Sequence, residues 1–109
     1  KLKKEGVIQR EVALLDPDRL GVTVIVSVRF EKESLRTYEA FKKEIGTTEE
    51  ISQCYTVSGE DDFLLIGHFK SMADYDEWVN ARLLTNPAIA RSTTRVVYRR
   101  VKYSTSIPV

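Results

Sequence analysis

The chain has 109 residues, of which 42% are apolar and 30% charged, enough for one compact globular unit with a buried core and too few for two. Seventeen basic side chains nearly cancel sixteen acidic ones, and a net charge of +1 excludes a bulk field that would draw the chain onto nucleic acid or an acidic membrane. One cysteine and one histidine exclude an internal disulfide and a Cys/His metal cluster, so neither a metal nor another cofactor is expected.

The chain begins KLKKEG, a basic, helix-like stub over residues 1–6 without the apolar core of a signal peptide. No apolar run approaches the ~20 residues of a spanning helix, so a cytoplasmic protein with no membrane partner is expected. Residues 7–15 are rich in strand formers and stop at Asp16, Pro17, Asp18, Arg19, Leu20 and Gly21, where proline suits the start of a turn and glycine its release. Next comes the strongest period-two pattern in the chain. Val22, Val24, Val26, Val28 and Phe30 fall on one face, and Thr23, Ser27 and Arg29 on the other, which predicts a strand with one face in the core.

From about Ser34 to Ile45, Leu35, Tyr38, Phe41 and Ile45 recur at helical spacing, and Gly46 suits a left-handed position just past the helix end. Residues 51–58 and 62–70 read as two strands joined at Gly59, Glu60 and Asp61, an antiparallel hairpin. Ser71 followed by Asp74 is a capping-box-like start for a second helix carrying Met72, Tyr75, Trp78, Val79 and Leu83, and Pro87 ends the pattern. Residues 91–103 return to strand, with Val96 and Tyr98 predicted on one side and Val97, Val101 and Tyr103 on the other. The order is a leading strand followed by β-α-β-β-α-β, the ferredoxin-like split motif of an α+β sandwich. Two helices cover one face of its four-stranded antiparallel sheet, and the apolar residues on both sides of the last strand predict that the other face packs on a second copy.

Fold alone licenses no function, but the strings say more. KLKKEGVI at the start and LDPDRLG over residues 15–21 resemble the junction and turn that precede the ligand domain of leucine-responsive (Lrp/AsnC) regulators. More specific is the run from Val57 to Leu65, VSGEDDFLL, which matches a family pattern of the form V-[ST]-G-x-x-D-[YF]-x-L. Thr93, Thr94, Arg95, Val96 and Val97, and the ending VKYSTSIPV, resemble its last strand and tail. The resemblance runs through the whole chain. It implies residues 1–6 as the remnant of a helix-turn-helix domain, 7–16 as a hinge strand, and 20–109 as an effector-binding and oligomerisation domain. The expected partners are a free amino acid, a homodimer assembling to an octamer or larger ring, and DNA only through the absent N-terminal domain. By themselves Lys1, Lys3 and Lys4 read as a solvated helix end.

A free amino acid presents a carboxylate and an ammonium, so a pocket needs N–H donors for one and an anionic acceptor for the other. A glycine turn exposes backbone donors, and carboxylates beside it can pair the ammonium. The resemblance accordingly implies Gly59 and Asp62, with their turn neighbours Glu60 and Asp61, as effector-binding residues, and Met72, Val96 and Val97 as nearby response or interface positions. Thr93 and Thr94 are candidates to offer hydroxyls across the dimer interface, the alternative being ordinary strand threonines. The alternative is a plain hairpin turn with solvating acids. Three consecutive acids suggest a preference for a cationic or polar amino acid. No catalytic residue is assigned. His68 lacks the neighbours of a general base or metal ligand and reads as structural, Cys54 as a small buried hydrophobe, and Trp78 as part of a helix core face. Two alternatives stay open: a small dimeric α+β-barrel enzyme resembling monooxygenases, with His68 as its reactive group, and a stand-alone amino-acid-binding protein.

Overall fold

The computed structural model describes residues 21–106. The expected helix remnant at 1–6, the hinge strand at 7–16, most of the turn before Gly21 and the last residues 107–109 lie outside that range. Six elements follow in order: β1 (Val22–Phe30), α1 (Leu35–Gly46), β2 (Ile51–Thr56), β3 (Phe63–Phe69), α2 (Met72–Arg82) and β4 (Ile89–Val96). They form one antiparallel sheet in the order β2-β3-β1-β4. This is the ferredoxin-like arrangement expected from the element order.

The alternation read in β1 is what the sheet uses. Val24, Val26, Val28 and Phe30 are buried, and their register partners Phe63 and Leu65 on β3 face the same way. Phe41 and Ile45 from α1 and Tyr75 and Leu83 from α2 join the same apolar cluster, so both helices cover one face of the sheet. Phe30, Phe41 and Phe63 meet with ring centroids 5.0–5.6 Å apart, mostly edge-on, the geometry that aligns positive ring edges with negative faces. Each helix starts on a serine whose hydroxyl accepts an otherwise unpaired N–H: Ser34 from Thr37 at 3.4 Å, and Ser71 from Asp74 at 3.1 Å.

Five local expectations are corrected. Regular strand ends at Val96 rather than Tyr103, and pairing extends one bond further, from Val97 N–H to the Thr23 carbonyl at 2.8 Å, because regular β1 starts at Val22, only two residues from the Val24 to Val96 pair. Tyr98 and Val101 are exposed. Gly46 is the last helical residue without a positive φ, and Thr47, at φ −103°, forms the cap. Leu35, expected on the apolar stripe of α1, is 76% exposed at the first position of the helix, one turn before Tyr38 reaches the core. Strand β2 stops at Thr56, two residues short, where the chain turns toward Gly59. Cys54 is exposed, because β2 is an edge strand whose helix-side face is only partly covered.

The opposite face carries Thr23, Ile25, Ser27 and Arg29 from β1, with Leu64, Ile66 and His68 from β3. Ile25, Leu64 and Ile66 are half-buried, an apolar centre with arginines 29, 91 and 95 toward its β4 side.

Candidate functional site

The β2 to β3 connection spans residues 57–62 and is closed by Val57 N–H donating to the Asp62 carbonyl at 3.2 Å. Gly59 sits at φ +109°, a conformation that L side chains rarely adopt, and nothing lies within 4 Å of where its Cβ would be. The turn therefore needs glycine for its backbone angle, and it leaves open space beside that backbone. Glu60 is exposed and pairs loosely with Arg91 of β4 at 3.8 Å.

Asp62 is the anchor of this turn. Its N–H donates to the Val28 carbonyl at 2.8 Å, its Oδ2 accepts from the Phe30 N–H at 2.6 Å, and its Oδ1 accepts from the Tyr38 hydroxyl at 2.8 Å. A half-buried carboxylate thus joins the end of β1, helix α1 and the turn, with hydrogen bonds of the charge-assisted kind. Tyr38 is itself seated edge-on against Phe30 and Phe63, at centroid distances of 5.1 and 5.5 Å. The hydrogen bond to Asp62, with burial and the carboxylate charge adding to it, pushes the Tyr38 phenol up to about 12. Two of the three consecutive acids therefore have partners inside the chain, and the turn offers less free negative charge than three carboxylates suggest.

The other residues singled out from the sequence do not converge on this turn within one chain. Thr93 pairs with Ser27 and faces the open side of the sheet, while Thr94 pairs with Val26 on the helix side, where its hydroxyl shares a hydrogen bond with Tyr75 of α2. Adjacent residues in a strand point to opposite faces, so the two hydroxyls cannot line one pocket of a single protomer. Val96 pairs with Val24 near the start of β1, whereas Asp62 lies at its end beyond the pair of Val28 and Phe63. Strand rise puts these positions roughly 15 Å apart. Met72 opens α2 and is 39% exposed, Val96 is 49% exposed and Val97 half-buried.

His68 lies on the open face. Its Nδ1 is 3.0 Å from the Thr23 hydroxyl and its Nε2 3.1 Å from the Ser52 hydroxyl, and burial, with Arg100 adding to it, lowers its pKa. Both ring nitrogens are engaged by hydroxyls, which fits the structural reading and leaves no free nitrogen for acid–base chemistry. Burial pushes the Cys54 thiol up, away from the thiolate a reactive cysteine needs. Among the described residues no group of three or more His, Cys, Asp and Glu side chains could hold a metal ion, and no helix is long and apolar enough to cross a membrane.

Sequence reasoning missed Tyr38 and Arg91. Tyr38 was visible only as a member of an apolar stripe, and the available signal was its hydroxyl, which needs a partner once the ring is packed. Arg91 gave no signal, because its approach to Glu60 depends on the pairing of β4 beside β1.

Comparison with known proteins bears on this geometry. Residues 23–107 match the family model of the Lrp/AsnC ligand binding domain. An uncharacterized helix-turn-helix-type transcriptional regulator of Sinorhizobium fredii is 35% identical over 100% of this chain and 66% of its own length. The leucine-responsive regulatory protein of Haemophilus influenzae is 36% identical over 94% of this chain and 63% of its own. Among solved structures, a transcriptional regulator of Neisseria meningitidis in complex with L-Met superposes with a TM-score of 0.78 at 28% identity, covering 88% of this chain and 63% of that one. The chain thus spans no more than two thirds of the length of these three relatives, which are named as regulators rather than enzymes. The ferredoxin-like sandwich, the VSGEDDF turn and the family match over nearly all described residues agree: the chain belongs to the Lrp/AsnC family and comprises its ligand-binding domain.

Proposed function

We propose that the chain is the amino-acid-sensing and assembly module of an Lrp/AsnC-type transcriptional regulator, with the effector at the 59–62 turn. The observation that carries this reading is the turn itself: an open glycine backbone at Gly59, held in place by an anchored carboxylate at Asp62. Such a backbone supplies N–H donors for a carboxylate, and Glu60, Asp61 and the unused lone pairs of Asp62 supply acceptors for an ammonium. The regulator of N. meningitidis solved with L-Met makes a neutral amino acid a reasonable first probe.

The remaining positions belong to this reading through a second copy. Met72, Val96 and Val97 lie at the far end of the sheet from the turn, so they would meet an effector only where another protomer brings its turn to them. The apolar centre of the open face, with Ile25, Leu64 and Ile66, supports face-to-face packing into a dimer, and dimers would assemble further to an octamer or ring. Regulation is then linkage: an amino acid held between dimers favours the assembly that binds it better, and that assembly sets the spacing of DNA-binding domains preceding this module. An effector that bound every assembly equally would change nothing. Such a protein would work in the cytoplasm.

Size-exclusion chromatography with light scattering, with and without a pool of the twenty amino acids, tests this. A mass several times that of the chain, shifted by one subpool, is the expected result. A monomer indifferent to every amino acid would remove the assembly mechanism in favour of a stand-alone binder.

A further inference from the structure

Asp62 is expected to be the acid of the effector site, yet its carboxylate is already shared by two donors of its own chain, and the two differ in kind. Phe30 N–H belongs to the sheet and cannot move without unpairing β1. The Tyr38 hydroxyl comes from a helix side chain and can be removed without touching any backbone bond. It reaches Oδ1 at 2.8 Å from a ring wedged edge-on between Phe30 and Phe63. The ring therefore has little freedom, and its hydroxyl fixes the one rotation that the Phe30 contact to Oδ2 leaves to the carboxylate. Because Asp62 also closes the 57–62 connection through Val57, the orientation of that carboxylate and the shape of the Gly59 turn are set together.

We propose that Tyr38 is a positioning residue for effector recognition, holding the Asp62 carboxylate so that its remaining lone pairs and the Gly59 backbone face the ligand as one rigid unit. The proposal rests on the reading that the 59–62 turn is the effector site. A carboxylate has about four lone-pair sites, and two are used here, which leaves acceptors for an incoming ammonium. An acid pre-aligned by a fixed donor binds without first losing its own rotational freedom, the general advantage of preorganisation. A tyrosine in this role also couples the turn to α1, since any ligand that pulls on Asp62 pulls on a side chain of that helix. The raised Tyr38 pKa agrees with a phenol whose proton is held by a carboxylate.

The test compares Tyr38→Phe with Asp62→Asn in the full chain. The probe is the equimolar pool of twenty amino acids, read by light scattering, with hydrogen–deuterium exchange of residues 57–62 and thermal melting as companions. Phenylalanine keeps the ring packing, so Tyr38→Phe should retain the wild-type fold and ligand-free mass. It should also exchange faster at the turn and need roughly tenfold more amino acid for the same mass shift. If Asp62→Asn blunts the response while Tyr38→Phe leaves response and exchange unchanged, Tyr38 is a packing residue and the proposal is overturned with the site intact. If neither substitution alters the response, or wild type gives none, the site assignment fails first and takes the proposal with it.

Discussion

The Thr23 hydroxyl on β1 lies 3.0 Å from Nδ1 of His68 on β3, its register partner, while Nε2 lies 3.1 Å from Ser52 on β2. Ser52 also donates its hydroxyl proton to the Ile66 carbonyl at 3.2 Å, so Ser52 accepts from Nε2–H, and Nδ1 accepts from Thr23. The imidazole is thereby bonded on both sides in its neutral form. Protonation would place a second proton on Nδ1, facing the proton of Thr23, in a half-buried setting that already disfavours charge and with Arg100 adding repulsion.

A pH dependence follows. The folded-state pKa of His68 lies below its ordinary value of 6.5, so its neutral form is favoured in the fold. The associated stability is fully present above about pH 6.5 and is lost as pH falls through the lower folded pKa. Urea denaturation of the wild type should thus show a midpoint falling between pH 7 and 5, and His68→Gln should flatten that slope. An unchanged slope in His68→Gln would assign the acid sensitivity to other groups.

Asp62 should matter to stability as well as to ligand. Asp62→Ala leaves the Phe30 N–H and the Tyr38 hydroxyl without their acceptor and should cost about 2–3 kcal/mol in equilibrium denaturation. Asp62→Asn keeps one oxygen for Phe30 and should lose less. For that reason the asparagine variant is the cleaner probe of effector response. Equal losses for the two would mean that the charge and the second acceptor oxygen, rather than shape, set the contribution of this residue.

Two glycines share nearly the same φ, +104° at Gly21 and +109° at Gly59, but their surroundings differ. A Cβ on Gly21 would overlap the carbonyl oxygens of Phe69 and Lys70, backbone that cannot yield, whereas a Cβ on Gly59 meets nothing. Gly59→Ala should therefore cost only the conformational strain, about 1–2 kcal/mol. Gly21→Ala should cost clearly more, as strain and overlap add. The ordering of the two denaturation midpoints checks this.

How far the sequence speaks can be traced in particular residues. The alternation through β1 and the serine start of α2 are local patterns, and both survived folding because the same local geometry fixes them. The turn at Gly59 was legible for the same reason. Thr93 and Thr94, by contrast, look equivalent in the sequence and lie on opposite faces, and the partners of Asp62 come from positions 30 and 38, whose approach depends on sheet order. Contacts across such distances leave no periodic trace. The end of β4 at Val96 was misread because β-branched and aromatic residues continue past it and carry the same local strand signal beyond the regular strand.

Leu83 and Leu84 show the same boundary at single-residue resolution and yield a final prediction. They are chemically identical neighbours at the end of α2, yet Leu83 is 2% exposed within the core and Leu84 is 65% exposed. Leu83→Ala removes methyl groups from a packed cluster and should cost about 3 kcal/mol. Leu84→Ala should stay within about 0.5 kcal/mol if its side chain meets only water. Denaturation at two protein concentrations separates the remaining case. A Leu84→Ala loss that appears only at the higher concentration would mean that another copy of the chain covers this leucine, since stability drawn from association depends on concentration and stability drawn from the core does not. A loss equal to that of Leu83→Ala at both concentrations would instead place Leu84 inside the protomer and contradict its exposed position.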